Sequence, residues 1–318
     1  MTRPLAIIAE ELEDEAEAWL AERCEIVRAK PPSPGFSHAL PRAEALIVRT
    51  YTRVDADLLS QAARLRVVAR AGVGVDNIDL ASCAARGVTV VHTPDANTRA
   101  VVEFVLAVLL DELRPRATLL HAPDAKEWAS LRRTLIAERG LSELTLGIWG
   151  MGRIGSQVAR AAAALDMRVL YHDLLDLPRD PRHAASPVSR DDLLASSDIV
   201  SIHVDGRRAN RGLVGESALA CCRDDVVLIN TSRGFVVDPP ALAAFLSRNR
   251  RARALLDVHE PEPIDPASPL LGLPNARLSP HLASGTAQAK RAMSWVVRDV
   301  WRVLQGQPPE FPASPEME

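Results

Sequence analysis

Six consecutive residues, Gly150-Met151-Gly152-Arg153-Ile154-Gly155, carry the plainest chemistry in the sequence. They join an apolar run at 144–149 to an Ala-rich helical stretch at 153–164. In that setting the first glycine permits a tight turn, the second lets a pyrophosphate approach the backbone, and the third lets helix and strand pack closely. Free N–H groups and the dipole at the helix start then attract the phosphates. A glycine string alone fits any tight turn. The flanking strand and helix, with Asp173 placed 18 residues beyond Gly155 at the end of the next strand, separate dinucleotide binding from that plainer reading. A carboxylate at Asp173 accepts hydrogen bonds from ribose hydroxyls and repels a 2′-phosphate. NAD is therefore expected over NADP, although Arg179 and Arg182 nearby act against that choice.

Three later segments place further reactive side chains at predicted strand ends. They are Ile229-Asn230-Thr231-Ser232-Arg233-Gly234, Asp257-Val258-His259-Glu260-Pro261-Glu262-Pro263, and Ser279-Pro280-His281. Strand ends are where an open α/β sheet binds ligands. Reducing a 2-keto acid with a dinucleotide needs a cation to orient the carboxylate and polarise the carbonyl. It also needs an acid to protonate the forming alkoxide, and a neighbour that keeps this acid protonated near neutral pH. The three segments contain groups of each type. Each also has a bland reading: a surface arginine, one of two glutamates in a Pro-rich loop, a structural histidine. His92, His121, His172, His183 and His259 are given no role, and His203 reads as structural, with its loop near the cofactor.

The elements that must position these groups follow an alternating rhythm. Strands are expected at 5–9, 45–48, 67–69 and 88–91, with helices at 11–23, 55–63 and 80–86 and a helix C-cap at Gly87. A long helix follows from 99 to about 113, ending before Pro115. After a polar stretch containing Trp128, five more strands are expected at 144–149, 168–172, 199–203, 226–230 and 254–258, and a last helix at 287–304. This βαβ order implies parallel sheets flanked by helices. The glycine loop lies mid-chain, so the central half reads as an insertion into the first. The Pro-rich end, 308–318, reads as a loose tail.

Bulk properties narrow the classes. With 318 residues, 47% hydrophobic and 25% charged, the chain can fill two cores. A net charge of −3 gives no general attraction to nucleic acid or to anionic membranes. Cys24, Cys83, Cys221 and Cys222 form neither a disulfide framework nor a zinc pattern, which suits a reducing cytoplasm, and no metal site is expected. The start turns acidic too early for a secretory signal, and the most apolar long segment, 101–110, is too short to span a bilayer.

Together with Arg70-Ala71-Gly72-Val73-Gly74-Val75-Asp76-Asn77-Ile78-Asp79, these segments make the chain resemble the D-isomer-specific 2-hydroxyacid dehydrogenases over nearly its whole length. The resemblance implies two Rossmann-like or flavodoxin-like α/β domains with parallel sheets. The substrate domain would comprise 1–97 and 288–318, with an NAD domain, 98–287, inserted into it and the active site in the cleft between them. It places the catalytic arginine, glutamate and histidine on Arg233, Glu262 and His281. His281 would donate the proton in reduction, Glu262 would keep it protonated, and Arg233 would bind the carboxylate and carbonyl. Between Glu260 and Glu262, the Glu-Pro register before Ser268-Pro269-Leu270 favours Glu262. Implied cofactor residues are Gly150, Gly152, Arg153, Ile154, Gly155, Asp173, Asp205, Thr231 and Asp257, the last contacting the nicotinamide carboxamide. The backbone at Val73 and Gly74 would meet the substrate carboxylate.

Two departures stand out. The family's His-x-Pro-x-Thr-x-x-Thr loop here has Asp205 for the proline and Arg207 and Asn210 for the threonines, and Val102 replaces a usual alanine. The first half looks most like the phosphoglycerate-oxidising members. Arg49, Arg53 and Arg70 either bring positive charge to the far end of the substrate or are strand-end arginines in salt bridges. Substrates left open are 3-phosphoglycerate, hydroxypyruvate and glyoxylate. Formate is disfavoured, because formate-oxidising members carry glutamine where Glu262 stands. The chain ends soon after the returning helix, so no regulatory C-terminal domain is expected. A cytoplasmic homodimer, paired through the region of the long helix and with no nucleic-acid or membrane partner, completes the expectation. An NAD-sensing corepressor of the same fold is the alternative.

Overall fold

A computed structural model describes residues 3–177 and 184–315. Arg179, Arg182 and His183 lie outside the described residues. The chain forms two compact units, one of residues 1–100, 206–208 and 284–318, the other of residues 101–205 and 209–283.

The strands, in chain order, are β1 (Leu5–Ile8), β2 (Glu25–Arg28), β3 (Ala45–Val48), β4 (Val67–Arg70), β5 (Thr89–Val91), β6 (Thr145–Trp149), β7 (Arg168–His172), β8 (Ala185–Pro187), β9 (Ile199–Ile202), β10 (Val227–Asn230), β11 (Arg253–Leu256), β12 (Ala276–Leu278) and β13 (Pro312–Ala313). The first unit's sheet runs β13-β5-β4-β3-β1-β2, parallel except for β13. Without β13, this is the flavodoxin-like order, which reverses between β1 and β3. The second sheet runs β12-β11-β10-β9-β6-β7-β8, all parallel, with its reversal between β6 and β9. Its first six strands in chain order have the dinucleotide-binding arrangement.

The central strands β1, β3, β6, β9 and β10 are buried along their whole length, as strands covered by helices on both faces must be. That is why they read as continuous apolar runs. Helix starts are set by side-chain caps: Asp55, Asp79, Ser189, Asp238 and Thr286 each accept a backbone N–H two or three positions into their helices. At Gly87 the backbone has φ +68°, and the bonds Gly87 N–H to Ala84 O and Val88 N–H to Cys83 O, 3.0 and 2.9 Å, make the glycine C-cap read from the sequence.

Several elements escape the sequence reading. Strand β2 is half exposed at the sheet edge, β8 is a three-residue edge strand, and β12, expected only as a strand end before Ser279, is another, with no β-branched run in either. The polar stretch around Trp128 contains a helix, Ala125–Thr134, capped by Asp124. None of its residues is buried, so it carries no core-facing stripe to read.

Two expectations are corrected. The last helix is two, Ala287–Ser294 and Val297–Leu304. At the break the Ser294 hydroxyl donates back to Lys290 O at 2.9 Å and accepts the Glu13 N–H at 3.0 Å, a side-chain competition that favours bending. Nor is the Pro-rich end loose through residue 313. The buried Asp299 carboxylate accepts the N–H groups of Glu310 and Phe311 at 2.8 and 2.9 Å, and β13 then adds antiparallel to β5.

Candidate active site

The three late segments leave the C-terminal ends of β10, β11 and β12, which are neighbours in the second sheet. Each loop is shaped by its own side chains. After β10, the buried Asn230 accepts the Ser232 N–H and hydroxyl at 3.0 and 2.6 Å and donates to Arg233 O at 2.9 Å, folding the turn that presents Arg233. Gly234 then lies so close to the next loop that a Cβ would stand 2.0 Å from the His259 carbonyl carbon. Glycine is what lets the Arg233 loop touch the 257–263 loop.

Asp257, 1% exposed, organises the third loop. Its carboxylate accepts the Ser279 hydroxyl at 2.5 Å and the N–H groups of Leu282 and Ala283 at 2.8 and 2.7 Å, while its carbonyl accepts the His281 N–H at 2.9 Å. His281 is thereby held at φ +55°, a left-handed conformation that costs a non-glycine residue free energy. His259 links the loops from the other side: its N–H donates to Glu262 at 3.0 Å, and its ring nitrogen shares a hydrogen bond with Ser279 O at 2.9 Å.

These contacts bring His281 Nδ1 to 2.8 Å from Glu262 Oε2. Burial pushes the Glu262 carboxyl up. The hydrogen bonds from His281 and from the His259 N–H, with the nearby positive charge of the two imidazoles, outweigh burial and hold it below the ordinary carboxylate range. The rival Glu260 is engaged elsewhere, in a two-pronged ion pair with Arg211, whose guanidinium lies 5.0 Å from the Phe235 ring centre. Arg233, Glu262 and His281 therefore stand on adjacent loops of one sheet edge. The sequence reading gave His259 no role and Asp257 only a cofactor role. Both build the scaffold of His281, through contacts with residues 20 to 26 positions away that no local pattern reveals.

The glycine turn lies at the reversal between β6 and β9. Gly150 has φ +99°, and a Cβ there would stand 2.7 Å from the His203 carbonyl carbon. A Cβ on Gly155 would meet Gly150 O at 2.1 Å, whereas one on Gly152 would meet nothing within 4 Å. Two glycines thus serve packing and the third borders open space. The following helix, Arg153–Ala163, has no side-chain cap at Gly152, as suits an N-terminus that receives a phosphate. Asp173 stands beside the turn and accepts the N–H groups of Met151 and Leu175 at 2.7 and 2.9 Å. A carboxylate has about four lone-pair sites, so ribose hydroxyls still find acceptors. At the end of β10 the Thr231 hydroxyl is buried without a hydrogen-bond partner, an orphan that a bound ligand would satisfy. These features fit a dinucleotide.

The altered loop after β9 holds itself together, since Asn210 donates to the carbonyl and carboxylate of Asp205 at 3.0 and 2.8 Å. Two of the three replacements thus bond each other. His203 shares a 2.8 Å hydrogen bond with Ser201, and burial pushes its imidazole down to about 4.

In the first unit, Val48 and Arg70 are register partners at the ends of β3 and β4. The Arg70 guanidinium folds over Gly72, where a Cβ would stand 1.2 Å from Nη1. Val73 O meets the His92 ring at 2.8 Å, bracing the turn that contains Val73 and Gly74. Arg49 Nη1 donates to Glu11 O at 3.2 Å, and Arg53 pairs with Asp55 at 3.7 Å. Among the described residues no cluster of His, Cys, Asp or Glu forms a metal site, and no helix is long and apolar enough to cross a membrane.

The chain is similar to known proteins. Residues 106–283 match the family described as D-isomer specific 2-hydroxyacid dehydrogenase, NAD binding domain. The chain is 38% identical over 309 residues to a glyoxylate reductase of Aeropyrum pernix, covering 94% of this chain and 92% of that protein. It is 35% identical over 271 residues to a D-3-phosphoglycerate dehydrogenase of Archaeoglobus fulgidus, covering 85% of this chain and 51% of the relative. The chain thus spans about half the length of the phosphoglycerate dehydrogenases it matches. Among solved structures, D-lactate dehydrogenase from Aquifex aeolicus complexed with NAD and lactic acid superimposes with a TM-score of 0.80 at 27% identity, covering 95% of this chain and 96% of that one. A glyoxylate reductase from Paecilomyes thermophila gives 0.82 at 26% identity, with both chains fully covered. The chain belongs to the D-isomer specific 2-hydroxyacid dehydrogenase family, and residues 106–283 are its NAD-binding domain.

Proposed function

We propose that the protein is an NAD-dependent oxidoreductase that interconverts a small D-2-hydroxy acid and its 2-keto acid. The observation that carries this reading is the 2.8 Å hydrogen bond between His281 Nδ1 and Glu262 Oε2, beside the Arg233 loop. NADH, when bound, supplies the hydride. His281 gives a proton to the carbonyl oxygen in reduction and takes it back in oxidation, and the ionised Glu262 stabilises its protonated form. Arg233 orients the substrate carboxylate and polarises the carbonyl. Gly150, Gly152, Arg153, Ile154 and Gly155 hold the pyrophosphate, and Asp173 the adenosine ribose. Thr231 and Asp205 lie near the cofactor, and Asp257 contacts the nicotinamide carboxamide. Residues 1–97 and 288–318 form the substrate domain and 98–287 the NAD domain. The Val73–Gly74 backbone, Arg49 and Arg70 belong to the substrate site. The relatives named above are dehydrogenases and reductases, which favours turnover over the NAD-sensing corepressor.

The substrate is one of glyoxylate, hydroxypyruvate and 3-phosphoglycerate. A screen of 2-keto acids with NADH, followed by loss of absorbance, tests the proposal. Saturable turnover supports it, and tight NADH binding without turnover on any acid overturns it.

The enzyme works as a cytoplasmic homodimer. Its support is the segment after the Thr98–Leu113 helix, where Leu120 is 93% and Ile136 66% exposed and the helix carrying Trp128 buries no residue. A second copy would cover this apolar surface. Light scattering at micromolar concentration should give twice the 34.5 kDa chain mass.

A further inference from the structure

Residue 259 meets all three loops that carry Arg233, Glu262 and His281. Its carbonyl lies against Gly234, where a Cβ would stand 2.1 Å from the His259 oxygen. Its N–H donates to Glu262 Oε1 at 3.0 Å, while His281 Nδ1 lies 2.8 Å from the other oxygen, Oε2. Its ring nitrogen Nε2 meets Ser279 O at 2.9 Å. A carbonyl oxygen only accepts, so this Nε2 carries the proton.

Ser279 O is the joint of the His281 turn. It accepts the His281 N–H at 3.1 Å as well as the His259 ring, so both of its lone pairs are used. The turn it closes holds His281 at φ +55°, a conformation that persists in a non-glycine residue only where its surroundings over-determine it. Asp257 adds to that restraint, its carbonyl accepting the His281 N–H and its carboxylate the Ser279 hydroxyl. The main chain of residue 259 thus holds one partner of the Glu262–His281 bond, and its side chain holds the other. The main-chain contact is open to any residue but proline. The contact with Ser279 O needs a donor at the end of a side chain of this length.

We propose that His259 is a positioning residue, whose imidazole fixes the separation of His281 from Glu262 and so sets the pH up to which His281 remains a proton donor. The inference rests on the dehydrogenase reading above. The charged and titratable groups on the loops around His281 are Glu262, His259 itself, Asp257 and Arg233, with Glu260 turned to Arg211. Glu262 bonds the His281 ring directly, so it is the group through which His259 acts.

The test compares the pH profile of kcat for keto-acid reduction in the wild type, His259→Phe, His259→Gln, Glu262→Gln and the double variant His259→Phe with Glu262→Gln. Phenylalanine keeps a ring and loses the donor, whereas glutamine can place an amide N–H where Nε2 stands. His259→Phe is expected to move the alkaline limb down by about half a pH unit, on the order of one weakened hydrogen bond. KM and NADH affinity should not change, and His259→Gln should recover most of the shift. In the Glu262→Gln background His259→Phe should move the limb no further, because the carboxylate through which it acts is gone. An unmoved limb in His259→Phe, or a shift that persists without the Glu262 carboxylate, assigns His259 to folding alone and overturns the inference. If His259→Phe does not fold, His259→Asn, whose amide is too short to reach Ser279 O, decides by the same criteria. A wild type that binds NADH and reduces no 2-keto acid overturns the dehydrogenase reading. Nuclear magnetic resonance titration of the His281 ring then reads the same shift without turnover: a shifted ring in His259→Phe upholds the link from His259 to His281, and an unshifted one overturns it.

Discussion

The two sheets reverse their strand order in the same way and treat the resulting crevice differently. In the second unit, between β6 and β9, a Cβ on Gly152 would meet nothing within 4 Å, and the helix behind it starts without a side-chain cap. That nest is left for an external anion. In the first unit, between β1 and β3, four backbone N–H groups converge on the chain's own Glu10 carboxylate. Burial pushes the Glu10 carboxyl up, yet these four bonds and that of the Thr52 hydroxyl hold it below its ordinary range, so it stays charged in place. One architecture thus yields a glycine turn that borders open space and a turn whose N–H groups are closed by the chain's own carboxylate. The difference lies in how many of the turn's N–H groups a carboxylate of the chain takes: four by Glu10, one by Asp173.

The largest expected effect separates chemistry from cofactor holding within the second unit, since His281 and the glycine turn stand at different strand ends. His281→Ala should lower kcat for reduction by a factor of about 10² to 10⁴, the usual contribution of a general acid. NADH affinity, read by fluorescence, should stay within a few-fold. Near-normal turnover would remove His281 from proton transfer. Gly152→Val probes the open nest itself. The new side chain meets no protein atom near its Cβ, so Tm should change little while NADH affinity falls at least tenfold. If affinity holds, the nest is not where the pyrophosphate lies, and the contrast with the Glu10 nest collapses.

Asp173→Ala sharpens the same contrast by removing a carboxylate beside an open site. The ratio of kcat/KM for NADH over NADPH should fall by about one order of magnitude, roughly the worth of one charge-assisted hydrogen bond. A wild type that prefers NADPH would reverse the assignment. Glu262→Gln should have the smallest effect on the rate optimum and the clearest effect on pH. Keto-acid reduction needs protonated His281, so losing the carboxylate should move the alkaline limb of the kcat profile to lower pH. An unmoved limb would detach Glu262 from proton transfer. Stability gives an independent check. The folded carboxyl lies below its ordinary value of 4.5. The pair therefore contributes stability above about that pH and loses it as pH falls through the lower, folded value. Denaturation of Glu262→Gln should be less acid-sensitive in that window, by under about 1 kcal/mol for a pair that is part-exposed to solvent.

Legibility followed burial and locality. Strands β1, β3, β6, β9 and β10 were readable because burial on both faces demands continuous apolar runs. The edge strands β2, β8 and β13 were not, and β12 was marked only by the segment that follows it, because an exposed strand imposes no such pattern. The helix at Ala125–Thr134 failed the reading for the same reason: it faces no core. The helix expected at 287–304 broke because Ser294 bonds to Glu13, 281 positions away, which no window of sequence registers. Within the site, the residue types at Arg233, Glu262 and His281 were visible, but Glu260 and Glu262 were separable only by a register argument.

What the sequence by itself determined was whatever is encoded in consecutive residues. That includes the glycine turn with its strand and helix, the alternating parallel-sheet order, and the family to which the catalytic motifs point. Tertiary structure decided the rest, because it depends on groups brought together across the chain. It pairs Glu262 with His281 and Glu260 with Arg211, and it makes Asp257 and His259 the supports of the His281 loop. It also closes Glu10 and Asn77 on a turn some 40 and 25 residues away in sequence. A hydrogen bond depends on distance and direction in space, and neither is written in the spacing of residues that meet only after the sheets have formed.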